Sequence, residues 1–409
     1  MSASKSAQAH ASARLSLPVR LLLAAARRLQ QGSLEIHLPG MAPQLFSGPV
    51  AGPHGVLLIR DTAMFKRLMS GGDLGFAEAW MAGEWTSPDL PALLRCLDLN
   101  LDGFKALQRG RAAMRWLRSL RQVLLLRNNR SGSRRNIRYH YDLGNDFYRL
   151  WLDPSMTYSS GLFLSPSDDL ETAQFNKYQR LLSLSGASAG DHILEIGCGW
   201  GSFAIHAARE RDCRVTALTL SPAQYEIARA RVAEAGLSEK VDVRLQDYRD
   251  VAGQFDHIVS IEMFEAVGEA YWPVYFRTLA KRLKPGGRAV IQVITIDEQH
   301  FDAYRRDTDF IREYIFPGGV LPSPSRFQSD ASEAGLETRK RDFFGEDYAR
   351  TLRQWAEGFS RVEDDVRKQG FDERFIRMWH YYLAYCEAGF SNGKINLMQT
   401  VLTAADGNG

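Results

Sequence analysis

Acidic residues are absent from one long stretch of this 409-residue chain: between Lys105 and Arg138 there is no Asp or Glu. Arg109, Arg111, Arg115, Arg118, Arg121, Arg127, Arg130, Arg134 and Arg135 fill it, interleaved with Leu107, Met114, Trp116, Leu117, Leu120 and the run Val123–Leu126. The pattern fits a basic amphipathic helix on an anionic membrane surface, with a solvated Arg-rich linker as the plainer reading. The stretch is short of aromatic platforms for stacked bases, and the chain's net charge is only +3. No nucleic-acid partner is therefore expected.

Cysteine is scarce. Cys96, Cys198, Cys213 and Cys386 are scattered with no CxxC pair, which argues against a disulfide framework or a zinc ribbon and for reduced thiols in the cytoplasm. His140, His206, His257, His300 and His380 lack metal-ligand spacing, so no metal is expected. Long apolar runs are missing too: Leu21–Ala26 is too short to span a bilayer, and Arg20 interrupts its surroundings. No internal repeat is present.

What remains is a folded chain, 45% apolar and 24% charged, long enough for two cores. Residues 1–32 read as a disordered start and a short amphipathic helix. Residues 33–104 read as a small α+β domain, with strands at "SLEIHLPG" and "GVLLIRD", helices broken at Gly71-Gly72, and a last helix capped by Ser87 or Asp89. The basic linker takes 105–135. From 136 to 409, strands ("HILEIG", "RVTALTL", "VDVRLQD", "FDHIVSI", "GRAVIQVIT") alternate with helices, the last of these strands following a Lys284–Gly287 turn. This predicts an α/β fold with a doubly wound, mostly parallel sheet, binding its ligand at the carboxyl ends of the strands.

Gly197, Gly199 and Gly201 sit where the first of these strands turns into a helix, so backbone can pass close to a ligand there. The spacing alone would also suit a dinucleotide. Glu195 before the glycines can address an amino group. "LTLSPAQ" lacks the acid expected for an NAD ribose and offers Thr219, Leu220, Ser221 and Gln224; "LQDYRD" offers Gln246, Asp247 for an adenine amino group, and Tyr248 to cover the ring. These features resemble class I S-adenosylmethionine-dependent methyltransferases. Four ordered blocks, "YHYDLGNDFYRLWLDPSMTYSS", "SIEMFEAVGEAYW", "FIREYIFPGGVLPS" and "FFGEDYARTLRQW", narrow the resemblance to the cyclopropane-fatty-acid synthase family, and "GDLGFAEAWMAGEW" resembles that family's amino-terminal lipid-associated module.

The resemblance implies S-adenosyl-L-methionine as methyl donor, with Tyr158 and Ser159 joining its site. It implies the double bond of an unsaturated phospholipid acyl chain as acceptor, and a peripheral position at the inner membrane surface. A homodimer is admitted as a further partner. An alkene is a poor nucleophile, and the cation it leaves must be kept dry; Phe147, Tyr148, Trp151, Phe264, Tyr304, Phe310, Tyr314 and Phe316 are candidates for an aromatic pocket. The proton lost afterwards decides the product. Taken from the new methyl group it closes a ring; taken from a neighbouring carbon it leaves a methylated or methylene-bearing alkene.

By resemblance the base is a bicarbonate held partly by a Glu, a Tyr, a Cys and a His. Glu265 and Tyr348 match that pattern; Ser160 stands for the Cys, Gln292 for the His, and "FEAVG" places Ala266 where the family has another His. Either bicarbonate is held more weakly and a cyclopropane forms, or Glu265 itself removes the proton. The second reading is preferred. A methyltransferase for a soluble small molecule and a non-catalytic lipid-binding protein are the rival classes. The intact glycines, Glu265 and Tyr348 weigh against the latter.

Overall fold

The computed structural model describes residues 16–101 and 143–405. The basic stretch 105–138, His140 and residues 1–14 lie outside the described residues.

Pro18 occupies the first turn of α1 (Leu17–Ala26), which buries Val19, Leu22, Leu23, Ala25 and Ala26. Strands β1 (Gln31–His37), β2 (Gln44–Ser47), β3 (Val50–Ile59) and β4 (Trp85–Thr86) form a sheet in the order β2-β1-β3-β4. Strict alternation puts Leu34 and Ile36 of β1 in the core. Gly72, at φ 58°, separates α2 (Ala63–Gly71) from α3 (Asp73–Met81). Asp89 rather than Ser87 caps α4 (Leu90–Leu99), accepting from the Ala92 N–H at 2.9 Å.

A seven-stranded sheet follows, in the order β10-β11-β9-β8-β5-β6-β7. It comprises β5 (His192–Ile196), β6 (Arg214–Thr219), β7 (Val241–Leu245), β8 (Phe255–Ile261), β9 (Leu283–Ile296), β10 (Leu336–Phe343) and β11 (Ile395–Ala404). Pairs among β5–β9 are parallel, and β11 joins β9 and β10 antiparallel. Strand order reverses between β5 and β8, opening a crevice at their carboxyl ends. Alternate residues feed opposite faces: Leu194 and Ile258 join Trp272 and Phe276, while Ile193 and Val259 join Leu181 and Phe203.

Lys284–Gly287 is not a turn preceding a strand. β9 starts at Leu283, paired with Phe255, and pairing resumes between Arg288 and His257, so the four residues bulge out within the strand. A Cβ on Gly287 would lie 2.4 Å from the Asp256 carbonyl, and only glycine permits that approach.

The amino-terminal module and the larger sheet region share one core. Trp80 donates its indole N–H to the Arg377 carbonyl at 2.7 Å, while the Arg377 guanidinium covers the Trp80 ring at 4.2 Å and donates to the Trp85 carbonyl. Arg377 belongs to α5 (Glu373–Ser391), the helix packed against both α3 and α4.

Candidate active site

The glycine turn after β5 is tied to the end of β6, with Gly197 and Cys198 both donating to the Leu218 carbonyl. Gly197 and Gly199 have φ of 86° and 53°. A Cβ on Gly197 would meet Met263 Cγ at 2.8 Å, whereas the same position on Gly199 meets nothing within 4 Å. The turn therefore presents bare backbone to a cavity of about 160 Å³ at the carboxyl ends of β5, β6 and β8.

Tyr158, Ser159, Glu195, Gly197, Gly199, Thr219, Leu220, Gln224, Gln246 and Tyr248 all line this cavity. Gly201 and Asp247 do not. Gly201 (φ 87°) packs a Cβ-less backbone against Ala228, where a methyl would sit 3.3 Å from the Ala228 side chain. Asp247 turns its carboxylate to the Arg249 guanidinium at 2.6 Å, so the acceptor expected for an adenine amino group is engaged; Arg249 lines the cavity instead.

Glu195 is 2% exposed, and its Oε2 has no partner. Burial pushes its carboxyl up to about 8, opposed by the Ala204 backbone and by Lys177. A buried acceptor left open toward a cavity matches a ligand that brings an amino group, and the bare glycine backbone admits the rest of a nucleotide.

A second cavity, about 530 Å³ and lined mainly by apolar side chains, meets the first at Tyr158, Glu262 and Ala266. Of the aromatic residues read from the sequence, Tyr304, Phe310 and Phe316 line it. Phe147, Tyr148, Trp151 and Phe264 are core, and Tyr314 donates its hydroxyl to Glu78. Tyr348, Tyr381, Tyr382, Tyr385 and Phe390 join the aromatic wall, with Phe76 and Tyr158.

Three of the four residues assigned to proton removal converge, but around a residue the sequence reading left out. Glu262, just past β8, accepts from the Ser160 N–H at 2.9 Å and the Gln292 side-chain amide at 2.8 Å on Oε1, and from the Tyr348 hydroxyl at 2.6 Å on Oε2. The donors assigned to bicarbonate hold a side-chain carboxylate. Ser160 contributes its backbone only, since its hydroxyl donates to the Gly161 carbonyl. Gln292 is oriented from behind by Gln399, which in turn accepts from Arg180. Neither Ser160 nor Gln292 lines either of these two cavities; both are fully buried. Glu265 lines the larger cavity, takes one bond from the Ile294 N–H, and leaves Oε2 unpartnered.

The family model described as mycolic acid cyclopropane synthetase matches residues 128–400. The chain belongs to this family. It is 41% identical over 84% of its length, and 82% of the other, to "Tuberculostearic acid methyltransferase UfaA1" of Mycobacterium tuberculosis. It is 34% identical over 86% of its length, and 88% of the other, to the cyclopropane-fatty-acyl-phospholipid synthase of Escherichia coli K12. A solved mycolic acid cyclopropane synthase, CmaA1 complexed with SAH and CTAB, superposes with TM-score 0.62 and 29% identity over 66% of this chain and 97% of that one. The protein is thus an S-adenosylmethionine-dependent methyltransferase of class I fold that acts on fatty acyl chains, with S-adenosylmethionine as its cofactor.

Within this cyclopropane synthetase relative, charge is arranged unevenly. Burial raises the pKa of Glu262, while Tyr348, Lys177, Ser160 and Gln292 pull it back down. Burial and then the Glu262 charge push Glu265 up to about 8. Two neighbouring carboxyls cannot both ionise cheaply; the three donors favour the charged form of Glu262, and that charge favours a proton on Glu265. Lys177, fully buried, donates to Ser159 Oγ at 2.7 Å and Gln174 Oε1 at 2.5 Å. Burial lowers it to about 7, against the pull of Glu262, Asp153 and Glu195.

Glu262 and Lys177 carried a weak signal. Glu262 stands three residues before Glu265 beyond an apolar strand, and Lys177 is lost among ordinary helix charges in Leu170–Ser185. Glu262 has φ 49°, unusual for a residue with a side chain, and this conformation was invisible in the sequence. Cys198 is buried, and burial holds its thiol well above the usual range, as befits a core filler.

Proposed function

We propose that the enzyme methylates the double bond of an unsaturated acyl chain of a membrane phospholipid and releases a methylated or methylene-bearing unsaturated chain, not a ring. The observation that carries this is the Glu262 carboxylate seated among Ser160, Gln292 and Tyr348. S-adenosylmethionine, when bound, supplies a methyl group on a positively charged sulfur. Glu195, the Gly197–Gly199 backbone, Gln224 and Tyr248 would hold it in the smaller cavity. Tyr158, Tyr382 and Phe316 offer aromatic faces to positive charge on the acyl chain and exclude water.

The acceptor's π electrons form the new carbon–carbon bond, and the charge left on the neighbouring carbon is discharged by loss of a proton to a base. By resemblance, a free bicarbonate in this cradle would close a ring. The cradle here has no donor to spare, because its three donors already serve Glu262, so bicarbonate does not fit. A carboxylate tethered to the end of β8 cannot follow the new methyl group as a free ion could, and it takes a proton from an adjoining chain carbon. The relative at 41% identity is named for methyl transfer and the one at 34% for ring formation, in keeping with this reading.

Mass analysis of lipids from cells expressing the protein and fed labelled methionine tests it. The expected product carries one labelled carbon and is cleaved by ozone at a carbon–carbon double bond. A labelled product of the same mass as the methylated alkene that resists ozone is a ring and sinks the reading; one two hydrogens heavier is a saturated methyl branch and sinks it too. The stretch 105–138 supports docking at the anionic inner membrane surface, and among the described residues no helix is long and apolar enough to cross a membrane. Sedimentation with anionic vesicles that persists unchanged at high salt would refute docking by charge.

A further inference from the structure

The larger cavity is not confined to the methyltransferase fold. Leu22 of α1, Leu57 of β3, Met64 and Leu68 of α2, and Leu94 of α4 form part of its wall. Leu22, Leu57 and Met64 are only 3%, 1% and 0% exposed, and all five side chains are apolar. Glu262, Glu265 and Tyr348 line the same cavity, so one continuous space joins the Glu262 cradle to the heart of the amino-terminal module. The family match at residues 128–400 does not include that module.

We infer that the amino-terminal module is the far wall of the acyl site, receiving the methyl end of the chain and limiting its length beyond the double bond. The inference rests on the acyl substrate proposed above. An esterified chain is tethered at its carboxyl end to a solvated headgroup, so only the methyl end can enter this recess, which is mostly apolar with Asp73 and Asp98 also on its wall. Chemistry pins the double bond beside Glu262. The distance from there to Met64 and Leu68 then becomes a ruler for the distal segment.

Two readouts test this with the full-length enzyme. The first is binding of cis-parinarate, a fatty acid whose fluorescence rises out of water. The second is labelled methyl transfer to vesicles of dipalmitoleoyl-, dioleoyl- or di-cis-vaccenoyl-phosphatidylglycerol. Oleoyl exceeds palmitoleoyl beyond the double bond, and cis-vaccenoyl exceeds it before the double bond. Met64→Trp should weaken parinarate binding and lower oleoyl turnover relative to palmitoleoyl by about tenfold, the worth of two buried methylenes, while leaving the vaccenoyl-to-palmitoleoyl ratio unchanged. Leu68→Trp, at a half-buried position where folding is less at risk, should act in the same direction, and Met64→Ala in the opposite one. Unchanged parinarate binding in both Trp variants overturns the inference, as does a shift in the vaccenoyl ratio alone. Weakened parinarate binding in an enzyme that methylates none of the three lipids would uphold the wall and overturn the phospholipid substrate instead.

Discussion

The Tyr348 hydroxyl donates to Glu262 Oε2 at 2.6 Å, linking the helix Gly345–Arg361 to the end of β8 across the floor of the acyl cavity. This bond replaces what the sequence suggested, a tyrosine holding a free bicarbonate. In the proposed function a carboxylate built into the chain is the anion of the site, and the predictions below follow from that exchange.

Glu262→Gln should lower the rate of methyl transfer by about 10²–10⁴-fold, the usual worth of a positioned base, with S-adenosylmethionine affinity unchanged. Calorimetry and single-turnover assays separate the two effects. A variant with near-normal turnover would remove Glu262 from proton transfer.

Glycine suits the φ of 49° at position 262 without strain, so Glu262→Gly should fold and empty the cradle. Combined with Ser160→Cys and Gln292→His, and with bicarbonate added, it should move the product toward a cyclopropane. Ser160→Cys with Gln292→His alone should leave the product unsaturated, because Glu262 still fills the space. Mass analysis before and after ozone reads both.

Glu265 carries its proton up to about pH 8. Activity should fall above that pH, as a second negative charge appears beside Glu262; a rate that climbs through pH 8 would instead make Glu265 the base. Stability follows the same group. Its folded pKa lies above the unfolded 4.5, so the folded state loses stability as pH rises between the two values. Glu265→Gln should recover on the order of a few kcal/mol at pH 8, seen in denaturant titrations.

Lys177 has its folded pKa, about 7, below the unfolded 10.5, so its burial costs stability increasingly as pH falls between these values. Lys177→Met should raise the melting temperature at neutral pH. Removing its charge should also shift the acid limb of the pH–rate profile upward, since Glu262 loses a stabilising cation. An unmoved acid limb would leave Lys177 a packing residue only.

Glu195→Gln should weaken S-adenosylmethionine binding about 10–100-fold, the range for a lost hydrogen bond to a charged group. Titration calorimetry reads it directly.

Strand and helix periods, the glycines after β5 and the start of α4 near Ser87 or Asp89 were legible along the chain, because each depends on neighbours within a few residues. So was the cofactor seat, with ten of its twelve expected residues on the cavity, since residues after consecutive parallel strands converge at one sheet edge. Asp247 and Gly201 lie off the cavity wall, which the sequence could not show: one faces Arg249, the other Ala228. The meeting of Ser160, Gln292 and Tyr348 on Glu262 joins positions up to 188 residues apart (160 to 348) through a backbone turn of positive φ, and no local pattern encodes that. The reach of the acyl cavity into the amino-terminal module is likewise a property of packing. Sequence alone therefore determined the sheet, the methyl donor and the residue types at hand; only the tertiary structure decided which carboxylate holds the charge, because burial and the count of donors around it are set by segments distant along the chain.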